Sequence, residues 1–139
     1  MKILLIDDSR TMRNIEKNVL KALEGAVFVE AADGVEALGA VAAETMQTAT
    51  GQGTGFDVIL VDWNMPNMDG ITFVRRFREK DKRTPIVMVT TEAERSAIID
   101  AIRAGVNDYV VKPFTPADLL THVNRTLAKF AAAAGTAVA

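Results

Sequence analysis

Five short apolar runs alternate along this chain with five stretches of helical periodicity. The first run, Ile3-Leu4-Leu5-Ile6, stops on Asp7-Asp8. Ser9 then reads as the N-cap of a helix whose apolar positions, Met12, Ile15, Val19 and Leu23, recur at helical spacing and which Gly25 terminates. Residues 27–31 give a second strand, and residues 34 to about 44 a second helix with Val35, Leu38, Val41 and Ala42 on one side. The run 56–61 is nearly continuous in aliphatic and β-branched residues, which is how a strand covered on both faces reads. It stops on Asp62, and the turn formers of Asn64-Met65-Pro66-Asn67-Met68-Asp69-Gly70 take the chain out of the sheet. A third helix at 71–79 offers Ile71, Val74 and Phe77 to the sheet. Pro85 introduces a strand at 86–89, a helix at 93–104 closes on Gly105, and a fifth strand covers 108–111. The last helix runs from Pro116, placed where a missing N–H costs little, to about residue 132.

Five βα units predict an α/β fold with a parallel sheet, right-handed crossovers and helices on both faces. In such a fold the ligand crevice lies at the carboxyl ends of the strands. Four of the five strands end there in polar groups fit for one site: Asp7 and Asp8, Asp62, Thr90 and Lys112.

Composition narrows the class. A chain of 139 residues, 49% hydrophobic, fits one compact domain with a real core. Sixteen basic against eighteen acidic residues give a net charge of −2, and no basic block suggests nucleic acid or an anionic membrane as partner. The absence of cysteine removes disulfides, thiolate metal sites and thiol nucleophiles. The first apolar run is too short for a signal-peptide core, and no run reaches the roughly 20 residues of a membrane span. A cytoplasmic protein is the expectation.

Three carboxylates in one crevice repel: a like-charged pair at ~4 Å costs about 4 kcal/mol at an effective dielectric of 20. A cation must offset this. Lys112 supplies one charge, and Mg²⁺, which takes one or two carboxylates and completes its octahedron with water and a phosphoryl oxygen, supplies two. A carboxylate beside Mg²⁺ and a lysine is a nucleophile toward phosphorus, with an acyl phosphate as product. Asp62 is the candidate.

Asp7-Asp8, the run Asp62-Trp63-Asn64-Met65-Pro66-Asn67-Met68-Asp69-Gly70, the triplet Thr90-Thr91-Glu92 and the segment Tyr109-Val110-Val111-Lys112-Pro113-Phe114 occur in an order and spacing that resemble a response regulator receiver domain of the stand-alone CheY-type chemotaxis class. The resemblance covers residues 2–130 and implies a flavodoxin-like (βα)5 doubly wound sheet of five parallel strands in the order 2-1-3-4-5. It implies that Asp62 accepts a phosphoryl group from a sensor histidine kinase. Asp7, Asp8, Asp62 and the backbone carbonyl of Asn64 would bind Mg²⁺, and Thr90 and Lys112 would contact the phosphoryl oxygens. Lys112-Pro113 would be a cis peptide. Tyr109 would read out the state of Thr90, and Asn64 and Glu92 would set the lifetime of the phosphoryl group. Such a domain catalyses only its own phosphorylation and dephosphorylation, and is not an enzyme in the usual sense.

On the partner face of the class, formed by helix four, strand five and helix five, this chain carries Ala93, Glu94, Arg95, Ile98, Tyr109, Val111 and His122. The face is less basic than the class leads one to expect, so a flagellar motor switch protein or a phosphatase docking there would carry different complementary charges. A monomer is expected. His122, the only histidine, reads as a surface residue of the last helix and lacks the context of a phosphorelay histidine. Trp63 reads as a partly exposed neighbour of the site. Simpler readings exist for the rest: Asp7-Asp8 as helix N-terminal charge, Thr90 as a β-branched strand residue, Lys112 as a snorkelling lysine, Tyr109 as edge-strand packing.

Residues 46–55, Met-Gln-Thr-Ala-Thr-Gly-Gln-Gly-Thr-Gly, read as a flexible loop insertion, and their glycines precede a strand where a dinucleotide fingerprint follows one. The Ala-rich stretch 131–139 reads as a fraying tail with no output domain. Two other functions stay open: a phosphate-sink or phosphorelay receiver without a motor output, and a phosphatase of the haloacid dehalogenase type. The latter family wants a second acid two residues after its nucleophile, where this chain has Asn64.

Overall fold

The structure, a computed structural model, describes residues 1–47 and 55–138. Strands β1 (Lys2–Ile6), β2 (Val27–Ala31), β3 (Val58–Val61), β4 (Ile86–Thr90) and β5 (Asp108–Val111) alternate with helices α1 (Arg10–Leu20), α2 (Gly34–Gln47), α3 (Gly70–Arg78), α4 (Arg95–Ala104) and α5 (Pro116–Val138). All strand pairs are parallel, in the order β2-β1-β3-β4-β5. This is the flavodoxin-like doubly wound arrangement. The loop expected at 46–55 lies largely outside the described residues.

Alternation along each strand divides the core in two. Leu4, Ile6, Ile59, Val61, Ile86 and Met88 pack on one side with Ala37 of α2, Ile71, Phe73 and Phe77 of α3, and Ala101 of α4. Ile3, Leu5, Val58, Leu60, Val87 and Val89 pack on the other side with Leu20 of α1 and with Leu119 and Val123 of α5. The three central strands are therefore buried on both faces, as their unbroken apolar runs require.

The helices depart from their predicted faces in two places. On α1 the buried positions are Glu16 and Leu20, while Ile15 is 41% exposed. At 100° per residue Ile15 lies about 120° around the helix from the middle of the 16/20 stripe, so the apolar count placed the stripe too far round. The helix also ends at Leu20 and not near Gly25, because the chain tightens into three-residue turns with Ala22 N donating to Val19 O and Leu23 N to Leu20 O. On α2, Val35 is 54% exposed and Ala37 takes the core position. Ala93 and Glu94 precede α4, and Glu94 is its N-cap residue. The stretch expected to fray from residue 131 instead continues α5 to Val138. Alanine carries the highest helix propensity, and the helix is already nucleated at Pro116.

The loop after β3 folds back on itself. Asp69 caps α3 by accepting from Thr72 N at 2.9 Å, Asn67 adopts a left-handed φ of 65°, and Gly70 N donates to Trp63 O at 2.8 Å. This brings Gly70 so close that a Cβ there would stand 1.9 Å from the backbone oxygen of Asp62. Glycine at 70 is thus a steric requirement of where Asp62 sits. Gly70→Ala should lower unfolding free energy by about 1–3 kcal/mol in urea denaturation. Gly39→Ala, in α2 with nothing within 4 Å of the added carbon, should raise it by up to about 1 kcal/mol.

Candidate functional site

The crevice at the carboxyl ends of β1, β3, β4 and β5 holds the predicted polar groups together. One oxygen from each of Asp7, Asp8 and Asp62 lies within 4.8 Å of the others, the only such acidic group among the described residues. Asp7 is 1% exposed and Asp62 9%, while Asp8 faces solvent. Lys112, reaching over from the end of β5, places Nζ 2.8 Å from Asp7 Oδ2 and 3.2 Å from Asp62 Oδ2. The other oxygens are oriented by backbone: Asp7 Oδ1 accepts from Ser9 N at 2.8 Å, and Asp62 Oδ1 from Trp63 N at 2.7 Å. Arg13 of α1 donates to the Asp7 carbonyl.

Burial is the largest influence on Asp7 and raises its pKa; the Lys112 ammonium and the Ser9 amide work against this, and the Asp62 charge adds to it. For Lys112 burial alone would lower the pKa, but bonding to Asp7 and the charges of Asp7 and Asp62 outweigh it and hold the ammonium protonated. An all-oxygen anionic set with two members anchored and one open to solvent fits a hard divalent cation.

Thr90 is fully buried at the end of β4, its Oγ1 accepting from Glu92 N at 3.4 Å. Asn64 Nδ2 donates to Glu92 Oε1 at 3.0 Å, so the two residues predicted to tune one lifetime are tied to each other. Tyr109 packs against the core, and its hydroxyl donates to the Glu92 carbonyl at 2.6 Å. Burial, with the nearby charges of Glu92 and Asp62, pushes the Tyr109 phenol up to about 12, so it stays a neutral donor. The Lys112-Pro113 peptide is cis.

A family model described as a response regulator receiver domain matches residues 3–124. The chain belongs to the response regulator receiver domain family. It is 47% identical over 117 residues to chemotaxis protein CheY of Pseudomonas aeruginosa, covering 83% of this chain and 86% of that protein. To chemotaxis protein CheY-3 of Vibrio cholerae it is 45% identical over 121 residues, 86% of this chain and 85% of that one. Among solved structures it is similar to Vibrio cholerae chemotaxis protein CheY4, with a TM-score of 0.72 and 36% identity over 90% of this chain and 97% of that one. A putative response regulator from Chloroflexus aurantiacus gives a TM-score of 0.78 at 32% identity, over 91% and 97% of the two chains. The protein is a response regulator receiver domain homologous to the CheY chemotaxis regulators.

On the α4-β5-α5 face of this receiver domain, Ala93, Glu94, Arg95 and Val111 are exposed, and Ile98 and Tyr109 are half-buried. His122 is more than a solvated surface residue: its Nδ1 lies 2.9 Å from Asp108 Oδ2, which also accepts from Arg125 at 2.9 Å. Burial would raise the pKa of Asp108, yet His122, the Tyr109 amide and Arg125 together hold it below the ordinary carboxylate range.

Three features escaped sequence reading. Arg13 is one; the Asp33–Asn67 bond at 2.8 Å, which ties the start of α2 to the loop after Asp62, is another. The third is Glu16, 2% exposed on α1 with Oε1 buried and without a hydrogen-bond partner. Its acidic letter at a core position of α1 is the one signal available. Burial, reinforced by the charge of Asp7, pushes its carboxyl up to about 8. The folded protein therefore holds a proton that the unfolded chain releases above about pH 4.5, so this group's contribution falls as pH rises from there toward 8 and is constant beyond. Glu16→Gln should match the parent near pH 4 and exceed it by a margin that grows to a few kcal/mol, as order of magnitude, by pH 8, read from denaturation midpoints across that range.

Proposed function

We propose that Asp62 is the phosphoryl acceptor of a phosphorylation-switched regulator acting in chemotaxis. The observation that carries this reading is the single Lys112 ammonium held between Asp7 and Asp62 beside three converging carboxylates. Mg²⁺ would be held by Asp7, Asp8, Asp62 and the Asn64 carbonyl, and supplies charge neutralisation for the transferring phosphoryl group. An Asp62 oxygen attacks phosphorus of a phosphohistidine on a sensor kinase, the P–N bond breaks, and the imidazole nitrogen leaves with the electron pair. The Trp63 amide and Lys112 hold the carboxylate in the orientation that attack needs. Water reverses the modification by attack at phosphorus, releasing inorganic phosphate and restoring the Asp62 carboxylate. No external substrate is turned over, and in that sense the domain is a switch and not an enzyme.

Readout runs through Thr90 and Tyr109. A phosphoryl oxygen on Asp62 draws the Thr90 hydroxyl toward it, away from the Glu92 amide it faces. Tyr109, anchored on the carbonyl of that same Glu92, stabilises the loop position that results. The face carrying Ala93, Glu94, Arg95, Ile98, Tyr109, Val111 and His122 then presents a changed surface to a flagellar motor switch protein or a phosphatase. Homology to CheY regulators supports that class of partner. The Asn64–Glu92 bond across the mouth of the site supports a role for both in limiting attack by water. No helix among the described residues is long and apolar enough to cross a membrane. Homology to CheY chemotaxis regulators supports a cytoplasmic location.

Trp63 is the only tryptophan and stands next to Asp62, so its fluorescence reports on the site directly. Addition of Mg²⁺ and then acetyl phosphate should change the emission of the parent. The acetyl phosphate response should vanish in Asp62→Asn and without Mg²⁺; a response that persists in Asp62→Asn would sink the assignment of the acceptor.

A further inference from the structure

The cations of this chain are unevenly used. Lys2, Arg13, Lys17, Arg78, Lys112 and Arg125 are each in an ion pair. Arg75, Arg76, Lys80, Lys82, Arg83 and Arg103 are in none among the described residues, and all six are exposed. Five of these six lie in residues 75–83, Arg-Arg-Phe-Arg-Glu-Lys-Asp-Lys-Arg, which hold six cations against two acids in a chain whose net charge is −2. One of the two acids is already occupied. Asp81 accepts from the amides of Arg83 and Thr84 and from the Thr84 hydroxyl, closing the turn before β4.

Three of these six side chains border a groove of about 480 Å³ between α3 and α4. Arg75, Lys82 and Arg103 line it together with Glu79 and Asp100. Its fixed cation is Arg78, whose guanidinium donates to Gly105 O at 3.0 Å, Asn107 Oδ1 at 2.9 Å and Asp81 O at 3.2 Å. That side chain is only 11% exposed and locks the C-terminus of α4 to α3. A preorganised guanidinium with exposed cations around it favours a carboxylate-bearing ligand, since the order of the fixed charge is already established before binding.

We infer that this groove docks an acidic segment of a partner protein. A flat anionic surface, membrane or duplex, fits it less well, because Glu79 and Asp100 would be pressed against phosphates along with the cations. A peptide can instead place uncharged residues at those two positions, so the acids set its register. The groove lies at the amino end of the sheet. Asn107 Oδ1, which holds Arg78, also accepts from Ile86 N at the start of β4, whereas Asp62 lies at the opposite ends of the strands. Binding here leaves the phosphorylation site and the α4-β5-α5 face accessible, so one partner can tether the protein while another reads its state.

The test is fluorescence anisotropy of a fluorescein-labelled peptide in which glutamates alternate with glycines, with the full chain. Binding should weaken with added salt and fall about tenfold or more in Arg75→Glu/Arg103→Glu. It should stay within about twofold of the parent in Lys21→Glu/Lys129→Glu, which changes net charge equally through two unpaired cations outside the groove. Should the reversed pair fail to fold, Arg75→Gln/Arg103→Gln must show a loss in the same direction. No binding of the peptide, equal losses in both reversed pairs, or a duplex oligonucleotide or phosphatidylglycerol vesicle binding through Arg75 and Arg103 in its place would each overturn the inference.

Discussion

Lys112 sits where two acidic strand ends would otherwise repel. β1 and β3 are neighbours in register, Ile6 beside Val61, so the residues that follow them, Asp7 and Asp62, are forced together by the sheet itself. A lysine at the end of β5, carried across β4, is, among the described residues, the only protein cation bonded to both. The consequences spread outward. The chain must turn sharply after Asp62, which requires glycine at position 70, and that turn is fastened to α2 through Asn67 and Asp33. One lysine charge for three carboxylates leaves the crevice short of positive charge, and the same shortage makes it receptive to a divalent cation and to a phosphoryl group.

Strand positions and the residues of the site were legible because both faces of the central strands are buried, whereas the strand order came from the resemblance to receiver domains. Uninterrupted apolar runs ending on Asp7, Asp62, Thr90 and Lys112 announce strand ends regardless of what covers them. The helices were read less well, since their faces are decided by packing that periodicity only approximates. A shift of one position hid Ile15's exposure and the burial of Glu16. Low complexity misled at the C-terminus, where the alanine-rich stretch looked like a tail but, with its high helix propensity, extends α5. His122 and Arg125 were unreadable for another reason: their partner Asp108 lies on a different element, and only the fold brings them together. The basic groove was masked in the same way. Glu79 and Asp81 interrupt the cationic run in sequence, while the structure ties Asp81 into a turn and leaves Arg75, Lys82 and Arg103 outside any ion pair among the described residues.

The molecule is thereby polarised along its strands. The acidic crevice occupies the carboxyl ends, where Asn64 and Tyr109 both bond to Glu92. The amino ends are fixed by Arg78, which spans α3, the α4 C-terminus and Asn107. α4 thus begins just after the loop that carries Glu92 and ends at Gly105, whose carbonyl accepts from Arg78 of α3.

The claim on which this account rests is that the crevice exists to place a phosphoryl group on Asp62. Trapping the adduct formed from acetyl phosphate and Mg²⁺ by borohydride reduction, followed by tandem mass spectrometry, locates the modified residue. The account predicts reduced label at Asp62 and none at Asp7 or Asp8. Label at either of those two, or a wild-type protein that takes up none, would contradict it.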